Sequence, residues 1–301
     1  MTEPQAVTPG QKPFVDYTTE AQDHPYFEFF ESLHLKLDLP KIGNWQVTKF
    51  HVLLGLAALL TGLILVWLGR RMRSGAPPRG VAQGAAESIV YFVRDQIARP
   101  AIDHKDHHGH VHHDGDKYVP FLGTTFLFVL IANMLGMIPF LGSPTASIAV
   151  TSALALVVFL YTHYSGIQQN GFAGYLKTFV PHIHMEGPAK ILAFALVILM
   201  FCLELLTPFI RPFVLAVRLF ANMLAGHVAI FVLLFFITMV AKSEWLAFHG
   251  GSPTLYYLVT PLSVAIVTAL SMLELLVAGL QAFIFTLLTA IFIGLARHPA
   301  H

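Results

Sequence analysis

Apolar residues dominate the chain in four long runs, and short polar stretches separate them. Residues 50–69 carry no charge and place Trp67 near their end, the pattern of a first transmembrane helix. Arg70, Arg71, Arg73 and Arg79 follow at once, whereas the tail at 1–49 holds Asp16, Glu20, Asp23, Glu28 and Glu31 against few lysines. Positive-inside bias predicts an extracytoplasmic N-terminal tail and cytoplasmic arginines. Within the tail, 24–39 is aromatic and amphipathic, suited to lie on the bilayer surface.

Residues 84–99 are too polar to span. Ile89, Val93 and Ile97 fall at i, i+4 and i+8, with Glu87, Arg94 and Asp95 elsewhere on the wheel, which predicts an interfacial amphipathic helix. The segment 103–117 is a low-complexity polar loop with six histidines, so 70–117 reads as one cytoplasmic region. From Tyr118 to Tyr164 no Asp, Glu, Lys or Arg occurs, and Pro139, Gly142 and Pro144 divide the run into a transmembrane hairpin, 118–164. A cytoplasmic loop, 165–188, carries Lys177, His182 and His184.

The run from 189 to 240 would extend about 75 Å as a helix, against a hydrocarbon core of roughly 30 Å. It is either two spans or one tilted and bent helix, with Pro208 and Pro212 as bend points. A polar turn leads to a second long run at 255–296, and Arg297 ends it, which fits a cytoplasmic C-terminal tail at 298–301. The fold class is therefore an all-α integral membrane protein. It has about five transmembrane helices and an interfacial amphipathic helix, the last two helices long and hairpin-like across 189–297.

Composition supports this. Of 301 residues, 55% are hydrophobic and 12% charged, about half the usual share of roughly 25%. Mean hydropathy is +0.66. A net charge of +1 gives no nucleic-acid footprint. Cys202 is the one cysteine, so no internal disulfide is available. The first apolar run begins near Phe50, which is unlike a cleavable secretory signal. No phosphate-binding loop, HExxH, CxxC or GxSxG is present, so neither a catalytic site nor a metal or other cofactor is expected.

Beyond Lys190 at the very start of the first run, four formal charges lie in the two C-terminal runs: Glu204, Arg211, Arg218 and Glu274. Each costs about 2.5–3.5 kcal/mol at a bilayer centre and so marks an ion path, a structural ion pair, or a side chain snorkelling to an interface. Glu204, Arg211 and Arg218 are spaced by seven and share a helix face, with Asn222 four residues further on. His227, nine residues beyond Arg218, points the opposite way. Glu274 and Gln281 form a second polar stripe. Antiparallel packing of the two runs would bring His227 near Glu274, as a proton relay or as a structural hydrogen-bonded pair.

The residues Arg218-Leu219-Phe220-Ala221-Asn222-Met223-Leu224-Ala225-Gly226-His227 resemble the signature of subunit a of the F-type ATP synthase. Glu274 with Leu280-Gln281-Ala282-Phe283-Ile284-Phe285 resembles its second signature. Asn133-Met134-Leu135-Gly136-Met137-Ile138-Pro139 with Pro144-Thr145-Ala146 resembles a third. The resemblance covers roughly residues 80–297.

It implies a proton-translocating stator subunit with no covalent chemistry of its own, in a bacterial inner membrane. The partners it implies are a ring of c subunits, peripheral-stalk b subunits, the other synthase subunits and the bilayer. Arg218 then corresponds to the essential arginine separating two half-channels. His227 and Glu274 correspond to the pair lining the outer half-channel, in the order of mitochondrial members, with Asn222 and Gln281 around the arginine. Glu204 and Arg211 belong to a cytoplasmic-side path. A metal transporter with a histidine-rich loop is the main rival. Its spans would need convergent ligands, and no HxxxH or HxxxD pair occurs in these. A haem protein would need paired histidines on facing helices, which His51, His163 and His227 do not supply. A purely structural membrane subunit would account for the composition but leave the polar stripe unexplained.

Overall fold

The computed structural model describes residues 26–29, 35–38, 41–42, 45–46, 48–73, 80–105, 111–138, 143–177, 190–241 and 253–297. Among the described residues seven α-helices carry the fold. They are α1 (Lys49–Arg73), α2 (Val81–Phe92), α3 (Arg99–Ile102), α4 (Val119–Gly136), α5 (Ile148–Lys177), α6 (Lys190–Ala241) and α7 (Pro253–Arg297). Among the described residues five stretches are long and apolar enough to cross a membrane: Lys49–Met72, Asp114–Gly136, Ile148–Phe172, Ile198–Val232 and Pro261–Arg297. The expected five-span α architecture is therefore present.

The N-terminal segment read as surface-lying forms a small antiparallel ladder, β1 (Tyr26–Phe29) with β2 (Leu35–Asp38). The alternation Leu35-Lys36-Leu37-Asp38 has the period of a strand, not of a helix. Two shorter ladders follow: β3 (Lys41–Ile42) with β4 (Trp45–Gln46), and β5 (His104–Lys105) with β6 (Val111–His112).

The amphipathic segment is one continuous rod. A π-helical stretch, Val93–Ala98, joins α2 to α3. Val93, Ile97, Ala98 and Ile102 are all buried, and the wider π turn keeps the five-residue step from Ile97 to Ile102 on the core side. Arg94, Asp95 and Arg99 face outward into a chain of ion pairs with Asp116. The Arg94 hydrogen bond holds the Asp95 carboxyl below its ordinary range.

The core joins this rod to Leu122, Phe126 and Val129 of α4, Val158 of α5, Leu215 and Leu219 of α6, and Ala282, Phe285 and Ile293 of α7. Helix α4 ends in a turn where Gly136 lies against Ser143, so a side chain at Gly136 would collide with it. Helix α5 runs beyond the expected hairpin boundary at Tyr164 as far as Lys177, with a break at Gly171, whose φ is 70°. The extension is polar on one face, and that face packs on the end of α7: Asn170 Nδ2 donates to the carbonyls of Ala296 and Arg297 at 3.3 Å. His182 and His184 lie outside the described residues.

The 189–240 run is a single 52-residue helix, unbroken by Pro208 and Pro212. The two prolines stand one turn apart, so the donor missing at Pro212 leaves the carbonyl of Pro208 itself without its helical partner. Its apolar span of 35 residues, and the 37-residue span of α7, are each about 50 Å long, so both must tilt or bend to stay within a roughly 30 Å core.

Candidate functional site

Helices α6 and α7 pack antiparallel, and their register is fixed at three levels. The Arg211 guanidinium lies over the Phe292 ring at 5.3 Å. Eleven residues along α6, and eleven back along α7, Asn222 Nδ2 donates to Gln281 Oε1 at 2.8 Å. Eleven residues are almost three whole turns, so both pairs meet on the same faces. At the third level Gly226 meets Glu274. A methyl group at Gly226 would sit 2.6 Å from Glu274 Oε1, so the glycine makes room for the carboxylate.

The Glu274–Gln281 stripe faces α6 along this register. The carboxylate is buried against Gly226, one residue short of His227. Among the described residues no hydrogen bond or ion pair joins His227 to Glu274, and His227 Nε2 and Glu274 Oε1 are both buried without a partner. His227 stacks on Phe231, four residues along its own helix.

Asn133 of α4 joins the same place. It is fully buried and its Nδ2 approaches the Ala278 carbonyl at 3.4 Å, between Glu274 and Gln281 on α7. Asn133 Oδ1 and Gln281 Nε2 have no partner either. Four buried polar atoms without partners therefore gather where α4, α6 and α7 meet. Each such atom costs about 1–3 kcal/mol unless something polar reaches it. The concentration sets this junction apart from the apolar packing around it.

Arg218 stands apart. Its neighbours Leu215 and Leu219 are buried, while Phe213, Val214 and Val217 are exposed, so the half-buried Arg218 lies at the edge of the α6–α7 interface. Among the described residues it makes no hydrogen bond or ion pair. Glu204 is half-buried on the same helix, and it does interact with its surroundings. Arg211 has its contact with Phe292. The seven-residue spacing thus distributes one face of α6 among three different environments.

A residue that sequence reading passed over is Arg297, taken there only as the end of the last run. It is buried, at 5% exposure. Its Nη1 donates to Tyr118 Oη at 2.9 Å and its Nη2 to Gln169 Oε1 at 2.7 Å, and Asp114 Oδ2 lies 3.7 Å away. Tyr118 Oη also bonds Ser165 Oγ at 2.7 Å. The only sequence signal was a charge in the last turn of a very long apolar helix, where a cation also suits the helix dipole. The adjoining base of the histidine-rich loop is tied down as well: Asp103 bonds His113 Nδ1 at 2.7 Å and accepts from the Gly115 amide at 3.0 Å. His107, His108 and His110 lie outside the described residues. Among the described residues no group of three or more metal-ligating side chains occurs.

The ATP synthase A chain family profile matches residues 51–294. The chain belongs to that family. It is 36% identical over 274 residues to ATP synthase subunit a 2 of Chlorobaculum tepidum, covering 90% of this chain and 68% of the relative. To ATP synthase subunit a of Myxococcus xanthus it is 39% identical over 256 residues, covering 85% of this chain and 74% of the relative. A third relative, from Chloroherpeton thalassium, is 36% identical over 283 residues, 91% of this chain and 74% of that one. As an F-type synthase subunit a, the chain is a proton-translocating component of the Fo membrane sector. Its apolar helices and bacterial relatives make it a multi-pass bacterial membrane protein.

Proposed function

We propose that Arg218 is the fixed charge separating two offset half-channels, and that the site at α4, α6 and α7 belongs to one of them. The observation that carries this reading is the contrast within α6. Among the described residues this intramembrane guanidinium has no hydrogen-bond or ion-pair partner, and it stands beside a wall of exposed apolar residues, Phe213, Val214 and Val217. An arginine so placed costs about 2.5–3.5 kcal/mol until a carboxylate from outside the chain meets it. A ring of c subunits carrying such carboxylates would supply the partner and cover the wall.

The chemistry follows from the charge. Arginine stays protonated at any relevant pH, so it cannot take part in proton passage. It favours the ionised form of a carboxylate brought beside it, and so promotes release of that group's proton. It also repels a proton crossing directly between the half-channels. Rotation of the ring then carries each reprotonated, neutral carboxylate through lipid, where an ionised one would be costly. Glu274, His227, Gln281, Asn222 and Asn133 supply acceptors and donors for proton delivery. His227 and Glu274 exchange protons through an intervening water, since their unpartnered atoms are not in contact. Glu204 and Arg211 lie on the cytoplasmic side of the arginine.

In this reading 1–49 is extracytoplasmic, 70–117 and 165–188 are cytoplasmic, and 189–297 forms the core of the proton path. ATP is made elsewhere in the complex, in which peripheral-stalk b subunits hold this chain against the ring. The direct test is disulfide crosslinking in the assembled synthase. A cysteine at Val214 or Ala221, in a Cys202→Ser background, should crosslink to one placed beside the ring carboxylate. Absence of crosslinks from both positions, with crosslinks from α1 instead, would refute the assignment.

A further inference from the structure

Helix α1 has two unlike faces. Leu53, Ala57, Thr61 and Leu68 are buried, and α1 packs on α4. Leu59, Leu63, Val66 and Trp67 are exposed. Near the end of the exposed face lies an open groove of about 440 Å³, lined among the described residues by Leu63, Val66, Trp67, Arg70 and Arg71. Leu63, Val66, Trp67 and Arg70 fall at i, i+3, i+4 and i+7, and Arg71 stands one turn beyond Trp67, so the groove runs along the helix. Its chemistry changes in order: aliphatic, then indole, then guanidinium.

We propose that this groove binds an anionic phospholipid, with an acyl chain on Leu63 and Val66 and the phosphate on Arg70 and Arg71. From Leu63 to Arg70 the helix rises about 10 Å, enough to pass from hydrocarbon to headgroup depth. Indole rings settle at that boundary. A guanidinium fork matches phosphate oxygens and is more weakly hydrated than an ammonium, so it suits a phosphate at the edge of lipid. A zwitterionic lipid brings its own cation to the phosphate and gains less. Free phosphate would leave the apolar half of the groove unused. A partner helix laid on this stripe would meet two adjacent guanidinium groups at its end, which a lipid phosphate suits directly.

The test uses the full chain with Trp45→Phe and Trp245→Phe, which leaves Trp67 as the one tryptophan of three. In vesicles of phosphatidylcholine, Trp67 fluorescence is titrated with brominated-chain phosphatidylglycerol or brominated phosphatidylcholine. We expect the anionic lipid to quench at a roughly tenfold lower mole fraction, the scale of attraction two membrane-surface cations provide. Arg70→Gln with Arg71→Gln should abolish the preference, and Arg70→Lys with Arg71→Lys should keep part of it. Equal quenching by the two lipids in the parent chain would overturn the proposal whether or not the variants fold, and so would a preference that survives the glutamines. In the assembled synthase, a photoreactive group at Leu63 should give anionic-lipid adducts. Adducts with a protein chain instead would show that a partner covers the groove and would equally overturn it.

Discussion

The two long helices carry two arginines, Arg218 and Arg297, that the chain treats in opposite ways. Arg297 is buried and held by Tyr118 and Gln169, with Asp114 beside it. Arg218 is half-buried and, among the described residues, meets no acceptor at all. The same contrast extends around them. The Arg297 end ties α4, α5 and α7 together by hydrogen bonds that include Tyr118–Ser165 and Asn170 on the last carbonyls of α7. The middle of the α6–α7 pair collects unpartnered polar atoms on Asn133, His227, Glu274 and Gln281. Polar groups that satisfy one another rigidify a structure, whereas polar groups left open inside a membrane await something that comes and goes. The first end is scaffold, and the second is the working surface of the proposed proton path.

Substitutions can break this contrast, and the largest effect belongs to the open arginine. Arg218→Lys should abolish coupled ATP synthesis while the complex still assembles, because a desolvated ammonium can lose its proton and its geometry differs from a guanidinium's. Near-normal synthesis would remove Arg218 from the separating role. Next is Gly226→Ala, whose methyl group would occupy the space of the Glu274 carboxylate. We expect proton flux to fall about a hundredfold, the scale of loss for a misplaced acid–base group, with little change in complex abundance. Gly226→Leu puts a larger side chain against the same carboxylate and should be worse; equal flux in the parent and both variants would show that the carboxylate's position is immaterial. The smallest effect on transport belongs to Arg297→Ala. It should lower stability by about 1–3 kcal/mol, seen as a lower unfolding midpoint or less assembled complex, through the loss of buried hydrogen bonds. Proton pumping per assembled complex should stay near normal.

Much of the fold was legible in the chain because the signals were local. Long apolar runs located the five spans, and Glu274 and Gln281 stand seven residues apart on the stripe that α6 meets. The i, i+4 pattern of Val93 and Ile97 located the buried face of the amphipathic rod, although nothing local announced the π turn that carries that face on to Ile102. The run around Pro208 and Pro212 read as two spans or as one tilted and bent helix, and α6 is one continuous helix, since neighbours and side chains in a membrane protein re-satisfy the carbonyls that proline frees. The knot at Arg297 was not legible. Its partners lie 128 to 183 positions away along the chain, and a terminal arginine after an apolar helix looks like a solvated end. The extension of α5 to Lys177 was missed for the same reason: Ser165, Gln169 and Asn170 look like loop residues until the end of α7 gives them partners.

Arg218, without a partner among the described residues, should govern transport, and Arg297, whose Nη1 and Nη2 are hydrogen-bonded while its Nε is not, should not. The most direct measurement is ATP-driven proton uptake by inverted membrane vesicles, comparing the parent chain with Arg218→Ala and Arg297→Ala at equal abundance of assembled synthase. Uptake should vanish in Arg218→Ala and persist in Arg297→Ala. Persistent uptake in Arg218→Ala, or loss in both variants alike, would contradict the account.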